Sequence, residues 1–186
     1  MVQALADGGI RSVEFTYTNP AAGEAVAAVK AAMGDAVQVG AGTVLDAETA
    51  RTAILQGADF IVTPVLSIPT IELCRRYSVP TVIGSFTPTE ILTAWQAGAS
   101  YVKVFPASAV GPGYLKDVRG PLPQVRLIPT GGVTLQNAGD FIRAGASAIA
   151  VGSNLVDAKT VRAGEWQTLT DRASAFVDAV RAARSA

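Results

Sequence analysis

The 186-residue chain contains no histidine and a single cysteine, Cys74. Without histidine it has no Ser-His-Asp triad, no histidine general base and no imidazole to ligate a metal. With one cysteine it closes no internal disulfide. Cys74 sits in Ile71-Glu72-Leu73-Cys74-Arg75-Arg76, which reads as a helix, and a buried helical Cys acts as a small hydrophobe. Charge is also scarce. Only 16% of residues are charged, the formal net charge is zero, and there is no basic run, so neither nucleic acid nor an anionic membrane is expected as a partner. The chain shows no signal-peptide pattern and no apolar run long enough to span a bilayer, so a cytoplasmic protein is expected. A Gly-x-Gly-x-x-Gly dinucleotide turn is likewise missing.

What remains is apolar and small. A hydrophobic fraction of 49% with 18 glycines suits an α/β protein with buried parallel strands. The length suits one domain over residues 1–186. A phrase recurs in Asp7-Gly8-Gly9-Ile10, Gln56-Gly57-Ala58-Asp59, Ala97-Gly98-Ala99-Ser100 and Ala144-Gly145-Ala146-Ser147. In each, a helix ends on a glycine and an apolar run follows, the pattern of βαβ units. Strands are predicted at Ser12–Tyr17, Val37–Ala41, Phe60–Thr63, Thr81–Gly84, Tyr101–Phe105, Arg126–Pro129 and Ala148–Val151. Helices are predicted at Pro20–Met33, Ala47–Gln56, Ile68–Tyr77, Pro88–Ala97, Gly113–Val118, Leu135–Ala144 and Trp166–Arg184, the last packing outside the sheet. Thr87-Pro88-Thr89-Glu90 and Asp46 are helix-start signals. Met1–Ala6 reads as the tail of a helix. The choice lies between an open doubly wound sheet and a TIM (β/α)8-type barrel lacking its first strand at the N-terminus. Polar residues in the loops after the strands favour the barrel.

One predicted strand carries a charge. Lys103 lies between Val102 and Val104. A buried lysine loses affinity for its proton and becomes an amine nucleophile of the Schiff-base kind. The competing reading is a strand at a sheet edge whose ammonium reaches water. Alternation places Ser12, Glu14 and Thr16 on one strand face, and Tyr101, Lys103 and Phe105 on one face of another. With helices outside, Glu14 and Lys103 both face the barrel axis, as a buried coupled pair or as a structural ion pair.

Two further clusters lie at strand ends. Thr130-Gly131-Gly132 and Gly152-Ser153 follow the last two predicted strands, where barrels of this class bind phosphate through backbone amides. Gly40-Ala41-Gly42-Thr43 and Thr63-Pro64 end two earlier strands and offer amides and hydroxyls to a small acid's carboxylate, although Thr43 also reads as a turn or cap residue.

Val13-Glu14-Phe15-Thr16, Gly40-Ala41-Gly42-Thr43-Val44-Leu45, Thr63-Pro64, Val102-Lys103-Val104-Phe105-Pro106-Ala107 and Pro129-Thr130-Gly131-Gly132-Val133 together resemble the class I 2-keto-3-deoxy-6-phosphogluconate (KDPG) and 4-hydroxy-2-oxoglutarate (KHG) aldolases. Gly120-Pro121-Leu122-Pro123-Gln124-Val125 looks like the phosphogluconate branch. The resemblance runs from Gly8 to Val156. It implies a lyase that needs no cofactor or metal, takes a small phosphorylated keto acid, and forms a homotrimer. It implies a Schiff base on Lys103, proton transfer by Glu14, and Phe105 packed beside the lysine. Gly42, Thr43 and Thr130 would hold the pyruvyl part, Pro64 would also bind substrate, and Gly131, Gly132, Gly152 and Ser153 would hold the phosphate. The chain departs from the family in two places. Thr18 stands where the family carries a carboxylate-binding arginine, so Thr18 would make only part of that contact. A strand and helix that open the family's sequences are also missing. Two other readings stay open: a sugar-phosphate isomerase with the same phosphate site, which would survive Lys103→Arg, and a non-catalytic barrel that binds a phosphorylated ligand or a partner subunit.

Overall fold

The computed structural model describes residues 1–185. In chain order the elements are α1 (Val2–Asp7), β1 (Ser12–Thr16), α2 (Ala22–Met33), β2 (Gln38–Gly42), α3 (Ala47–Leu55), β3 (Phe60–Val62), α4 (Ile68–Arg76), β4 (Thr81–Ser85), α5 (Pro88–Ala97), β5 (Tyr101–Val104), α6 (Gly111–Arg119), β6 (Leu127–Pro129), α7 (Leu135–Arg143), α8 (Ala158–Arg162) and α9 (Trp166–Ser185). Residue contacts divide the chain into two compact units, residues 12–104 and residues 1–11 together with those from 105 on.

Local chemistry sets the helix ends. The Thr87 hydroxyl accepts from Glu90 N at 3.3 Å, and Glu90 Oε2 accepts from Thr87 N at 2.8 Å, a capping box that starts α5. Asp46 Oδ1 accepts from Thr49 N at 2.6 Å and starts α3. Gly57, Gly98 and Gly145, just past three helices, have φ of +97°, +99° and +96°, where a Cβ would be strained.

In the first unit, β1 to β5 run parallel in sequence order. One sheet face carries Val39, Ala41, Ile61, Ile83, Val102 and Val104, all fully buried against α2 to α5. Truncating one of the larger of these, such as Ile83→Ala, would cost about 2–5 kcal/mol. At the starting ends of the strands, Asp59 Oδ2 accepts from Val39 N at 2.8 Å, and Oδ1 accepts from Lys30 Nζ at 2.9 Å. The ion pair is part-exposed and so weak; the backbone contact fixes β3 beside β2.

In the second unit, α9 packs on α7 and α1 through buried Leu169, Ala173 and Phe176. Gly8 ends α1 where any Cβ would press on Ala173 and the Thr170 carbonyl, so only glycine lets the two helices come this close. Thr170 Oγ1 donates to Ala4 O at 2.9 Å across the same contact.

The strand predicted at Ala148–Val151 does not form. Only an isolated bridge, Thr130 to Ala150, remains. Ser147 N donates to Leu127 O at 2.9 Å and Ala150 N to Pro129 O at 3.1 Å, so the segment runs alongside β6. The return bond into Ser147 would come from residue 129, and proline has no N–H to give. α8, which sequence patterning did not indicate, is a five-residue turn of helix started by Asp157, whose Oδ1 accepts from Thr160 N at 2.9 Å.

Candidate active site

Register fixes the face on which each site residue lies. Glu14 is level with Gly40, and Gly40 with Phe60. Val62 is level with Val82, Val82 with Tyr101, and Gly84 with Lys103. Paired residues of parallel strands project to the same side, and alternate residues share a face. Glu14 and Lys103 therefore lie on one face of the sheet, opposite the helices.

Lys103 is 6% exposed. Burial pushes its amine below the usual lysine range, and the negative charge of Glu14 opposes that shift. Burial pushes the Glu14 carboxyl above its ordinary value, and the Lys103 ammonium pulls it back. The Glu14 residue as a whole keeps an exposed surface, which screens both effects, while its carboxyl is desolvated as alternation led one to expect.

Glycines on this face let neighbouring groups pack closely. At Gly42 a Cβ would sit 2.9 Å from Glu14 Oε1, and at Gly40 it would overlap the Phe60 ring. At Gly84 it would overlap the Pro64 backbone. Thr63 is buried and its hydroxyl proton is committed: it donates to Val65 O at 2.7 Å and accepts from Gly84 N at 3.0 Å. It fixes the turn that carries Pro64, and so does not offer its hydroxyl to a carboxylate as expected. Pro64 itself has no N–H and is half-buried. Thr43 ends the β2 turn with φ of +55°, a conformation costly for a β-branched residue. Thr18 is exposed, and its Oγ1 donates to Thr16 Oγ1 at 3.2 Å. Gly84 and Thr63 were not foreseen in these roles, because their partners are about twenty residues away in sequence and no local pattern marks them.

The second unit carries the other residues. The Phe105 ring packs against Gly131, with a Cβ there 3.4 Å from Phe105 Cε2. Thr130 O accepts from Ala107 N at 2.8 Å, while the buried Thr130 hydroxyl meets no partner among the described residues. Gly131 and Gly132 have φ of +88° and +72°, and a Cβ on Gly132 would strike Ser108. Among the described residues, none accepts from the N–H groups of Gly132, Gly152 or Ser153. The Gly152 carbonyl is turned into its own loop, where it accepts from Leu155 N at 2.9 Å and Val156 N at 3.0 Å. Amides left free in glycine-rich turns are the usual anion-binding device.

The chain matches known proteins over most of its length. The family model for KDPG and KHG aldolases matches residues 1–172. The chain is 36% identical to the 2-dehydro-3-deoxy-phosphogluconate aldolase of Treponema pallidum, covering 91% of this chain and 81% of that protein. It is also 36% identical to the 2-dehydro-3-deoxy-6-phosphogalactonate aldolase of Escherichia coli, covering 98% and 87%. Among solved structures, a native KDPGal structure superposes with a TM-score of 0.93 at 34% identity over 100% of this chain and 88% of that one. The KDPG aldolase of Legionella pneumophila, solved with pyruvate as a covalent carbinolamine, gives 0.88 at 26% identity over 94% and 85%. The fold is α/β of the TIM-barrel type, with six strands among the described residues. These relatives are carbon–carbon lyases, and this chain belongs to the KDPG and KHG aldolase family.

Proposed function

We propose that this chain is a class I aldolase that cleaves 2-keto-3-deoxy-6-phosphogluconate to pyruvate and glyceraldehyde 3-phosphate. The observation that carries the proposal is the buried Lys103 amine, its pKa pushed down, on the same sheet face as Glu14. The free amine attacks the C2 ketone, and Glu14 supplies the proton that lets the carbinolamine lose water. Glu14, now ionised, takes the C4 hydroxyl proton through a water. The C3–C4 bond breaks, its electron pair moves to the iminium nitrogen, and the aldehyde leaves. The enamine is protonated at C3, and hydrolysis of the imine frees pyruvate and Lys103. No metal enters any of these steps.

The remaining roles are part of the same proposal. Gly42, Thr43, Pro64 and Thr130 hold the pyruvyl part, Phe105 packs beside it, and Thr18 makes the weaker carboxylate contact. Gly131, Gly132, Gly152 and Ser153 bind the phosphate through amides and the Ser153 hydroxyl. A homotrimer is also proposed. In its support, Leu45, Val65 and Phe86, which follow β2, β3 and β4, are 60%, 53% and 37% exposed, large for apolar residues. Light scattering would give three chain masses, and one chain mass would refute this.

The phosphogalactonate relative supports a second reading of the substrate, the C4 epimer. Pyruvate release from phosphogluconate-, phosphogalactonate- and hydroxy-oxoglutarate-type acids decides among them. The first substrate should give the highest kcat/KM, and no release from any of the three would end the proposal.

A further inference from the structure

The two turns assigned to phosphate are held by side chains that would not themselves touch it. Asn137 Nδ2 donates to Gly132 O at 3.0 Å, and Asn137 Oδ1 accepts from Thr134 N at 2.8 Å as part of the box that starts α7. Asn154 Nδ2 donates to Val133 O at 2.8 Å. Asn154 immediately follows Ser153, so this bond joins the Gly152-Ser153 turn to the Gly131-Gly132 turn, 21 residues apart. The far end of its own turn is held separately: Arg172 Nη1 donates to Asp157 Oδ2 at 2.7 Å and to Leu155 O at 3.4 Å.

These contacts matter for an anion because a carbonyl oxygen turned inward would repel it. In a trans peptide the C=O and the following N–H point in opposite directions. Engaging Gly132 O with Asn137 therefore directs the Val133 N–H away from Asn137. Turning Gly152 O onto Leu155 and Val156 directs the Ser153 N–H the other way. Asn154 then fixes the distance between the two sets of amides. We propose that Asn154 is a positioning residue for the phosphorylated end of the substrate, acting by tying the two amide-bearing turns into one anion site. This rests on the phosphate assignment under the proposed function.

The test compares wild type with Asn154→Ala in KM and kcat for phosphorylated substrate, and in competitive inhibition by inorganic phosphate. One lost hydrogen bond and a loosened turn predict KM and the phosphate inhibition constant each rising about five- to tenfold, with a far smaller change in kcat. Asn154→Gln keeps the donor and should recover part of the loss. Asn154→Ser is polar but too short to reach Val133 O, so it should behave like alanine and provides a second reading if alanine lowers the yield of folded protein. A loss confined to kcat, or an unchanged phosphate inhibition constant, would overturn the role of Asn154 while leaving the phosphate site in place. If wild type is not inhibited by phosphate and does not prefer phosphorylated substrate, the phosphate assignment fails and this inference fails with it.

Discussion

Gly84 stands level with Lys103 in the β4–β5 ladder, and a methyl group at Gly84 would overlap the carbonyl of Pro64. Beside the buried amine β4 has no side chain, and the turn after β3 packs directly against its backbone. Thr63 locks the arrangement by accepting from Gly84 N.

Gly84→Ala is therefore expected to destabilise the protein by about 1–3 kcal/mol, the cost of overpacking against backbone that cannot give way. Thermal unfolding with calorimetry measures this. A change of a few tenths would mean that the Pro64 turn moves easily.

The charge pair makes a prediction about pH. Burial lowers the Lys103 pKa and the Glu14 charge raises it again. Removing that charge in Glu14→Gln lets the amine pKa fall further. Only the free amine attacks a ketone, so the pH midpoint for trapping pyruvate on Lys103 should move to lower pH in the variant, even though the absolute rate drops. For stability the sign is set by the depressed folded value. Between that value and the usual lysine value the unfolded chain holds the extra proton. Stability should therefore rise with pH across that window and be lost as pH falls through the folded pKa. A midpoint that stays in place or moves upward in Glu14→Gln contradicts the coupling.

Thr43 holds a left-handed conformation with φ of +55° that costs a β-branched residue roughly 1–2 kcal/mol. Thr43→Gly should raise stability by about 1 kcal/mol and raise KM for the keto acid, the trade expected of strain kept for binding. Denaturant unfolding together with steady-state kinetics checks both halves. A gain in stability with no change in KM would remove Thr43 from the site.

Features encoded by neighbouring residues were legible in the sequence. Thr87-Pro88 with Glu90 set the start of α5, and Gly57, Gly98 and Gly145 marked three helix ends. The strand holding Lys103 was legible because a lysine between valines has few places to go. What was not legible depends on distant partners. Ala148–Val151 has strand composition, but its ladder is interrupted by a proline at 129. Thr63 looked like a ligand hydroxyl until Gly84 and Val65 were seen to occupy it. Asn154 has no motif at all, and Asn137 shows only as the third residue of the α7 capping box; their roles at the turns come from the carbonyls they meet.

Reduction with borohydride in the presence of pyruvate, followed by peptide mass spectrometry, shows whether Lys103 carries the imine. The account predicts a single carboxyethyl group on Lys103, with Lys30, Lys116 and Lys159 unmodified and no adduct in Lys103→Arg. An unmodified Lys103, or an adduct that forms equally on the other lysines, would contradict it.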